Sequence, residues 1–305
     1  MSDAIPVLIN AAAGTGHPKE QIEQLEQLFR EAGAEARIMP ARTGKELVEL
    51  AQRLGKEKHP IIVAGGGDGT VNAVASVVAG TGIALGILPL GTLNHFAKDL
   101  NIPLDVRDAV RTIVSGRRVN VDVGEVNGRI FVNNSSLGLY PHIVLERKTQ
   151  QRRLGRSKWS ALFWATLNVM RRSPLLDVLL RLRNEARRYR APLVFIGNNE
   201  YVMEGFNVGK RARLDAGVLS IYVTQRRGRL ALVGLALRAL FGRLHQARDF
   251  EALTADTAEI NTRRKHVHVA TDGEVTVMDK PLNYRIRPRD LSVIVPVPLR
   301  AKSLS

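Results

Sequence analysis

The residues of this chain best able to do chemistry lie in AGGGDGTVNA, residues 64–73. Glycines at 65, 66, 67 and 69 let a ligand approach the main chain closely. The amides of such a bend, followed by a helix N-terminus, make a nest for phosphate oxygens. Thr70 and Asn72 add neutral donors. Asp68 puts a carboxylate among those phosphates, which a bridging Mg²⁺ or a structural hydrogen bond would rationalise. A second loop lies in ILPLGTLNHFAKDL, residues 87–100. It sets Gly91 and Thr92 near another helix start, with Asn94 able to bond the loop or a ligand. Two such loops after consecutive strands would face each other across one crevice, where open α/β sheets bind ligands. Neither GxxxxGK[ST] nor GxGxxG fits the first loop, which argues against a P-loop enzyme and a Rossmann oxidoreductase. The chain has no cysteine, so disulfides, thiolate metal sites and cysteine nucleophiles are excluded together. His266 and His268 would share one strand face. No acid at metal-ligand spacing accompanies them, nor His17, His59, His142 or His245, and all six read as structural or surface groups.

These loops need elements to hold them. IPVLIN (5–10) reads as a buried parallel strand, and residues 18–32 carry Ile22, Leu25, Leu28 and Phe29 at helical spacing. A strand at about 35–39 precedes a helix over 43–55, where Thr43 and Glu46 have the spacing of a capping box. Strand 61–65, helix 70–79, strand 84–89 and a helix starting near 93 follow. Such alternation argues a parallel sheet covered by helices. The pattern changes near residue 120. Residues 119–144 are strand-like, with Asn127-Gly128 as a hairpin turn, and further strands are expected at 192–197, 218–223, 266–270, 274–278 and 291–296. Helical segments are expected within 152–172 and near 229–241.

GGGDGTVN (65–72) and PLGTLNHFA (89–97) together resemble the diacylglycerol kinase catalytic-domain family, which includes bacterial soluble lipid kinases and the sphingosine and ceramide kinases. The resemblance extends in order through Asn10, Thr43, VNVDVGEVNGRIFVNNSSLG (119–138), RLDAGVL (213–219) and DGE (272–274). It implies an α/β plus all-β fold. The first domain would be a parallel-sheet domain like those of NAD kinases and phosphofructokinases, and the second β-rich and sandwich-like. It implies ATP and Mg²⁺ as cofactors and transfer of the γ-phosphate to a lipid hydroxyl. Gly66, Gly67, Asp68, Gly69, Thr70, Val71 and Asn72 would hold the ATP phosphates, with Thr43 and Thr92 as further nucleotide contacts. Glu274 matches the family's proposed base, and Asp68 competes for that role. Asp122 matches an acid of a Mg²⁺-linked network. Three places depart from the pattern. Asn94-His95-Phe96-Ala97 stands where many relatives have Asn-Asp-Phe-Ala, Asp215-Ala216-Gly217 where many have Asp-Asp-Gly, and NAAAGTG where an NPxSG-like run is usual.

Charge divides the chain in the same region. Residues 1–125 carry 13 basic and 15 acidic residues, net −2; residues 126–305 carry 32 and 14, net +18. Within 147–190 the balance is 13 to 2. A block this basic implies a polyanionic partner, and RRLGRSKWSALFWATLNVMRR (152–172), with two tryptophans between basic ends, suits an anionic lipid surface. Nucleic acid is not expected, since no recognition module accompanies the charge. No run of about 18 apolar residues occurs. The expectation is a cytoplasmic lipid kinase, peripheral on the inner membrane surface. Residues 1–125, with about 288–305 returning, would be the nucleotide-binding domain, and 126–287 the lipid-substrate domain. The alternatives are a kinase for another acceptor such as NAD, and a nucleotide-binding regulator of weakened catalysis, which His95 and Ala216 would favour.

Overall fold

A computed structural model describes residues 4–10, 18–138, 141, 175–183, 185–202, 210–211, 213–224 and 250–297. Helices and strands alternate through the first part: β1 (Ile5–Asn10), α1 (Pro18–Glu31), β2 (Ala36–Ala41), α2 (Gly44–Lys56), β3 (Ile61–Gly66), α3 (Asp68–Val78), β4 (Ala84–Pro89), α4 (His95–Asp99) and α5 (Val106–Ser115). Strands then dominate: β5 (Arg117–Val126), β6 (Arg129–Phe131), β7 (Asn134–Gly138), β8 (Leu176–Arg181), β9 (Ala186–Ala191), β10 (Leu193–Asn198), β11 (Tyr201–Val202), β12 (Lys210–Arg211), β13 (Leu219–Thr224), β14 (Phe250–Ala255), β15 (Thr257–Thr262), β16 (His266–Thr271), β17 (Glu274–Asp279) and β18 (Leu282–Val295). The chain divides into two compact units. One holds the residues up to Val121 and those from Arg289 onward; the other is Asp122–Pro288.

In the first unit β1 to β4 are parallel because each connection between them is a helical crossover. β1 pairs with β2 on one side and β3 on the other, β3 pairs with β4, and Ser292 and Val293 of β18 return to lie beside Ala84 and Leu85. All six residues of β4 are buried, as an unalternating apolar strand covered by helices must be. α2 packs on β1, α3 on β3 and α5 on β4. The helix starts follow local chemistry. Thr43 caps α2 by accepting the Glu46 N–H at 3.1 Å, and Glu46 reaches back to the Arg42 N–H at 2.7 Å.

The second unit is antiparallel. One sheet has the order β14-β13-β10-β7-β16-β17; in the other β15 lies between β8 and the start of β18, and β8 pairs with β9. The inner faces meet in a core that includes Phe131, Leu137, Val178, Ile196, Ile221, Ile260 and Tyr284. Burying one such side chain stabilises the fold by about 1.5–3 kcal/mol. The fold is therefore α/β plus a β sandwich, the class that the sequence implied. The helical expectations for 152–172 and near 229–241 lie outside the described residues.

Candidate active site

In-register parallel strands bring their carboxyl ends to one edge. Asn10 is level with Ala41, Ile9 with Gly65, and Gly66 with Pro89. The segments that follow these strands therefore leave the sheet from the same side. Thr43, residues 66–72 and residues 91–94 all lie there.

The first loop turns from β3 into α3 in the space of one residue. Gly67 is the N-cap and gives α3 no side-chain cap, and the amides of Gly67, Asp68 and Gly69 have no protein acceptor among the described residues. A helix start with its leading amides free carries partial positive charge and suits an anion. Thr70, Val71 and Asn72 are buried beneath the bend. Thr70 lies so close over Gly66 that a Cβ at Gly66 would collide with it. The main chain, more than these side chains, is what the loop presents. Asn72 keeps a buried Oδ1 without a partner among the described residues.

The second loop closes on itself through Asn94. This residue is 7% exposed and sits at φ 50°, a left-handed position that asparagine tolerates better than most. Its Oδ1 accepts the Gly91 N–H at 3.1 Å, and its Nδ2 donates to the carbonyls of Pro89 and Gly91 at 3.1 and 2.8 Å. Asn94 thus bonds the loop. Thr92 is left exposed.

The two loops touch. A Cβ on Gly91 would run into the Gly67 backbone, so Gly91 needs glycine for the close approach, while a Cβ on Gly67 would stand a tight 3.3 Å from the Gly91 Cα. Asp68 ties them again, its Oδ1 accepting the Phe96 N–H at 3.2 Å at the head of α4. The acid inside the loop therefore has a structural hydrogen bond. His95, beside Phe96, is exposed. Thr43 already uses its hydroxyl oxygen to cap α2.

Glu274 belongs to the second unit. It opens β17 opposite Thr271, across the Asp272-Gly273 turn, whose φ values of 47° and 81° are those of a tight hairpin. Its Oε2 accepts from Arg129 Nη2 at 2.6 Å, and its side chain is 57% exposed. Asp272 beside it is half-buried and accepts the N–H groups of Val132, Asn133 and Asn134 at 2.8, 2.9 and 2.9 Å. Burial pushes its carboxyl up to about 6, even though those amides and Arg211 favour the charged form. Neither Arg129 nor Asp272 stands out as a site residue in the sequence. Asp272 falls in the DGE run and Arg129 in the 119–138 run that carry the resemblance, and each borders a turn with positive φ, Asp272-Gly273 and Asn127-Gly128.

No three acids or histidines among the described residues converge on a point where a metal ion would sit. Asp122 Oδ2 accepts the Gly217 N–H at 2.7 Å, and Asp215 Oδ1 accepts from Arg213 Nε at 3.1 Å. Ala216, where many relatives have a second acid, offers no side-chain oxygen to a cation beside Asp215. His266 pairs with Asp279 at 2.6 Å and His59 with Glu57 at 3.2 Å; His17, His142 and His245 lie outside the described residues.

Comparison with known proteins covers both units. Residues 4–126 match the family model described as the diacylglycerol kinase catalytic domain, and residues 144–295 match the YegS C-terminal NAD kinase beta sandwich-like domain. A Klebsiella pneumoniae (strain 342) protein named "Probable lipid kinase YegS-like" is 27% identical over 215 residues, 69% of this chain and 71% of that one. A diacylglycerol kinase of Bacillus subtilis (strain 168) is 32% identical over 130 residues, 42% of this chain and 43% of that one. The crystal structure of a diacylglycerol kinase from Bacillus anthracis str. Sterne aligns with a TM-score of 0.70 at 20% identity, covering 96% of this chain and 97% of that one. That likeness shows a shared fold. No helix among the described residues is long and apolar enough to cross a membrane.

Proposed function

We propose that this chain, which belongs to the diacylglycerol kinase catalytic-domain family, transfers the γ-phosphate of ATP to the hydroxyl of a lipid of the diacylglycerol type. Membership makes it a phosphotransferase of a lipid-kinase family, and kinase membership implies use of ATP. The observation that carries the finer reading is the start of α3, where the amides of Gly67, Asp68 and Gly69 have no acceptor among the described residues and lie beside Gly91. Phosphoryl transfer depends on positioning and charge neutralisation more than on covalent chemistry, and such a bend supplies both. In this reading residues 66–72 hold the phosphates, with Thr43 and Thr92 as further nucleotide contacts. Asp68 Oδ2, without a hydrogen-bond partner among the described residues, suits a Mg²⁺ ion carried by the nucleotide. That ion would neutralise phosphate charge. Glu274 takes the proton that the lipid hydroxyl loses as it attacks phosphorus.

The test is transfer of radiolabelled γ-phosphate from ATP to a total lipid extract, with identification of the labelled species. Label in a lipid phosphate monoester supports the reading. Label only in a soluble acceptor such as NAD, or hydrolysis alone, removes it. The net charge of +18 over residues 126–305 favours work at an anionic membrane surface. Vesicle flotation reads this separately. Binding should need anionic lipid and weaken with salt, and indifference to both would remove the membrane part alone.

A further inference from the structure

Glu274 does not owe its orientation to its own strand. It is the first residue of β17, and its register partner Thr271 ends β16 with no exposure to solvent. A glutamate side chain left free at such a turn samples many rotamers, and holding it in one costs up to about 2 kcal/mol. Arg129, at the start of β6 beyond the Asn127-Gly128 turn, removes that freedom. Its Nε donates to Thr271 Oγ1 at 2.8 Å and its Nη2 to Glu274 Oε2 at 2.6 Å. One planar guanidinium therefore joins a buried, immobile hydroxyl to the exposed carboxylate, and the rigid fork transmits the position of the first to the second. The segment just after β6 is anchored in turn. Asp272 accepts the amides of Val132, Asn133 and Asn134, so the two hairpins cannot slide past each other without breaking three half-buried bonds. Glu274 is left with one oxygen held and the other, Oε1, without a hydrogen-bond partner among the described residues. That is the state a directed proton acceptor needs.

We propose that Arg129 is a positioning residue for Glu274, acting through Thr271 and the carboxylate and touching neither ATP nor lipid. The inference rests on the reading of Glu274 as the proton acceptor. An ion pair this exposed adds only about 0–1 kcal/mol to folding, so stability is a poor explanation for it.

The experiment uses the full chain and a diacylglycerol-type lipid in mixed micelles. Arg129→Gln is expected to lower kcat about ten- to a hundredfold, the usual range for misplacing a reacting group, with the KM for ATP unchanged; losing the bond to the buried Thr271 hydroxyl lowers the melting temperature but leaves the chain folded at the assay temperature. Arg129→Lys keeps the charge but cannot span Thr271 and Glu274 together, so it should restore only part of kcat. The double variant Arg129→Gln/Glu274→Gln should turn over no more slowly than Glu274→Gln alone, since the arginine acts only through that carboxylate. Should the Gln variant fail to fold, Arg129→Lys and its double with Glu274→Gln carry the same comparison. If Glu274→Gln turns over like the wild type, the base reading itself is wrong and the inference goes with it. If Glu274→Gln is inactive but Arg129→Gln keeps wild-type kcat, or if the two losses multiply, the base stands and the positioning role is overturned.

Discussion

Replacing Gly69 by alanine separates the fold from the phosphate site. Gly69 is exposed in the first turn of α3, and a Cβ built there meets nothing within 4 Å. The change therefore costs no contact. It restricts the unfolded chain, which stabilises a protein by about 0.4–1 kcal/mol where the native backbone is compatible. In a fold of this size the melting temperature should rise by roughly 1–4 °C. The new methyl group, however, enters the open space on the exposed side of the loop, where the phosphates would lie on the amides of residues 67–69. Displacing one charge-assisted hydrogen bond costs about 1.5–3 kcal/mol. ATP affinity should then fall about ten- to a hundredfold. Gly91→Ala is the counterpart. Its Cβ would strike the Gly67 backbone, which cannot swing aside like a side-chain tip, so stability should drop by about 1–3 kcal/mol together with affinity. Thermal melts and ATP titration calorimetry on both variants decide the matter. A Gly69→Ala protein that melts higher and binds ATP as tightly as the wild type would show that the phosphates do not rest on this bend.

Substitutions at three further positions test other parts of the structure. Asn94→Ala removes all three hydrogen bonds that close the second loop and leaves alanine at φ 50°, so it should destabilise more than Asn94→Gly, which relieves only the backbone cost of about 1–2 kcal/mol; urea midpoints of the pair measure this. Asp272 has its carboxyl raised by burial from 3.8 to about 6, so its contribution to stability is complete below the ordinary carboxylate range and is lost as pH rises through about 6. The deficit of Asp272→Asn against wild type should therefore narrow between pH 4 and 7 in urea melts, and a deficit that widens would mean that the three amides outweigh burial. At Glu125, burial raises the carboxyl but the guanidiniums of Arg285 and Arg287 more than offset this and hold it low. Stability from this group is present above the ordinary carboxylate range and lost as pH falls through its lowered value. Glu125→Gln should cost about 1–3 kcal/mol at pH 7, visible as a lower urea midpoint, and a midpoint unchanged at pH 7 would show the pair to be idle.

Much of the first unit was legible in the residues. IPVLIN and ALGILP form strands over the very residues expected, and Thr43 with Glu46 caps α2 as their spacing suggests. α5 is not evident in the sequence, although Asp105 accepts the Asp108 N–H at its start, because a ten-residue helix between short loops offers few turns of periodicity. β8, β9, β14 and β15 were missed as well. ARRYRA is mostly exposed and charged, and such a strand resembles a loop until a neighbour pairs with it.

What the sequence determined by itself is what depends on the backbone within a few residues. Glycine and asparagine mark the bends that other residues enter only at a cost, and unbroken apolar runs demand burial on both faces. What only the tertiary structure decided is which bend meets which. Gly67 lies against Gly91, Asp68 reaches Phe96, and Arg129 holds a carboxylate 145 residues further along the chain. An arginine's donors suit any acid of the chain equally well. Strand register, which sums the packing of two whole sheets, selects the partner, and no local pattern of residues records that sum.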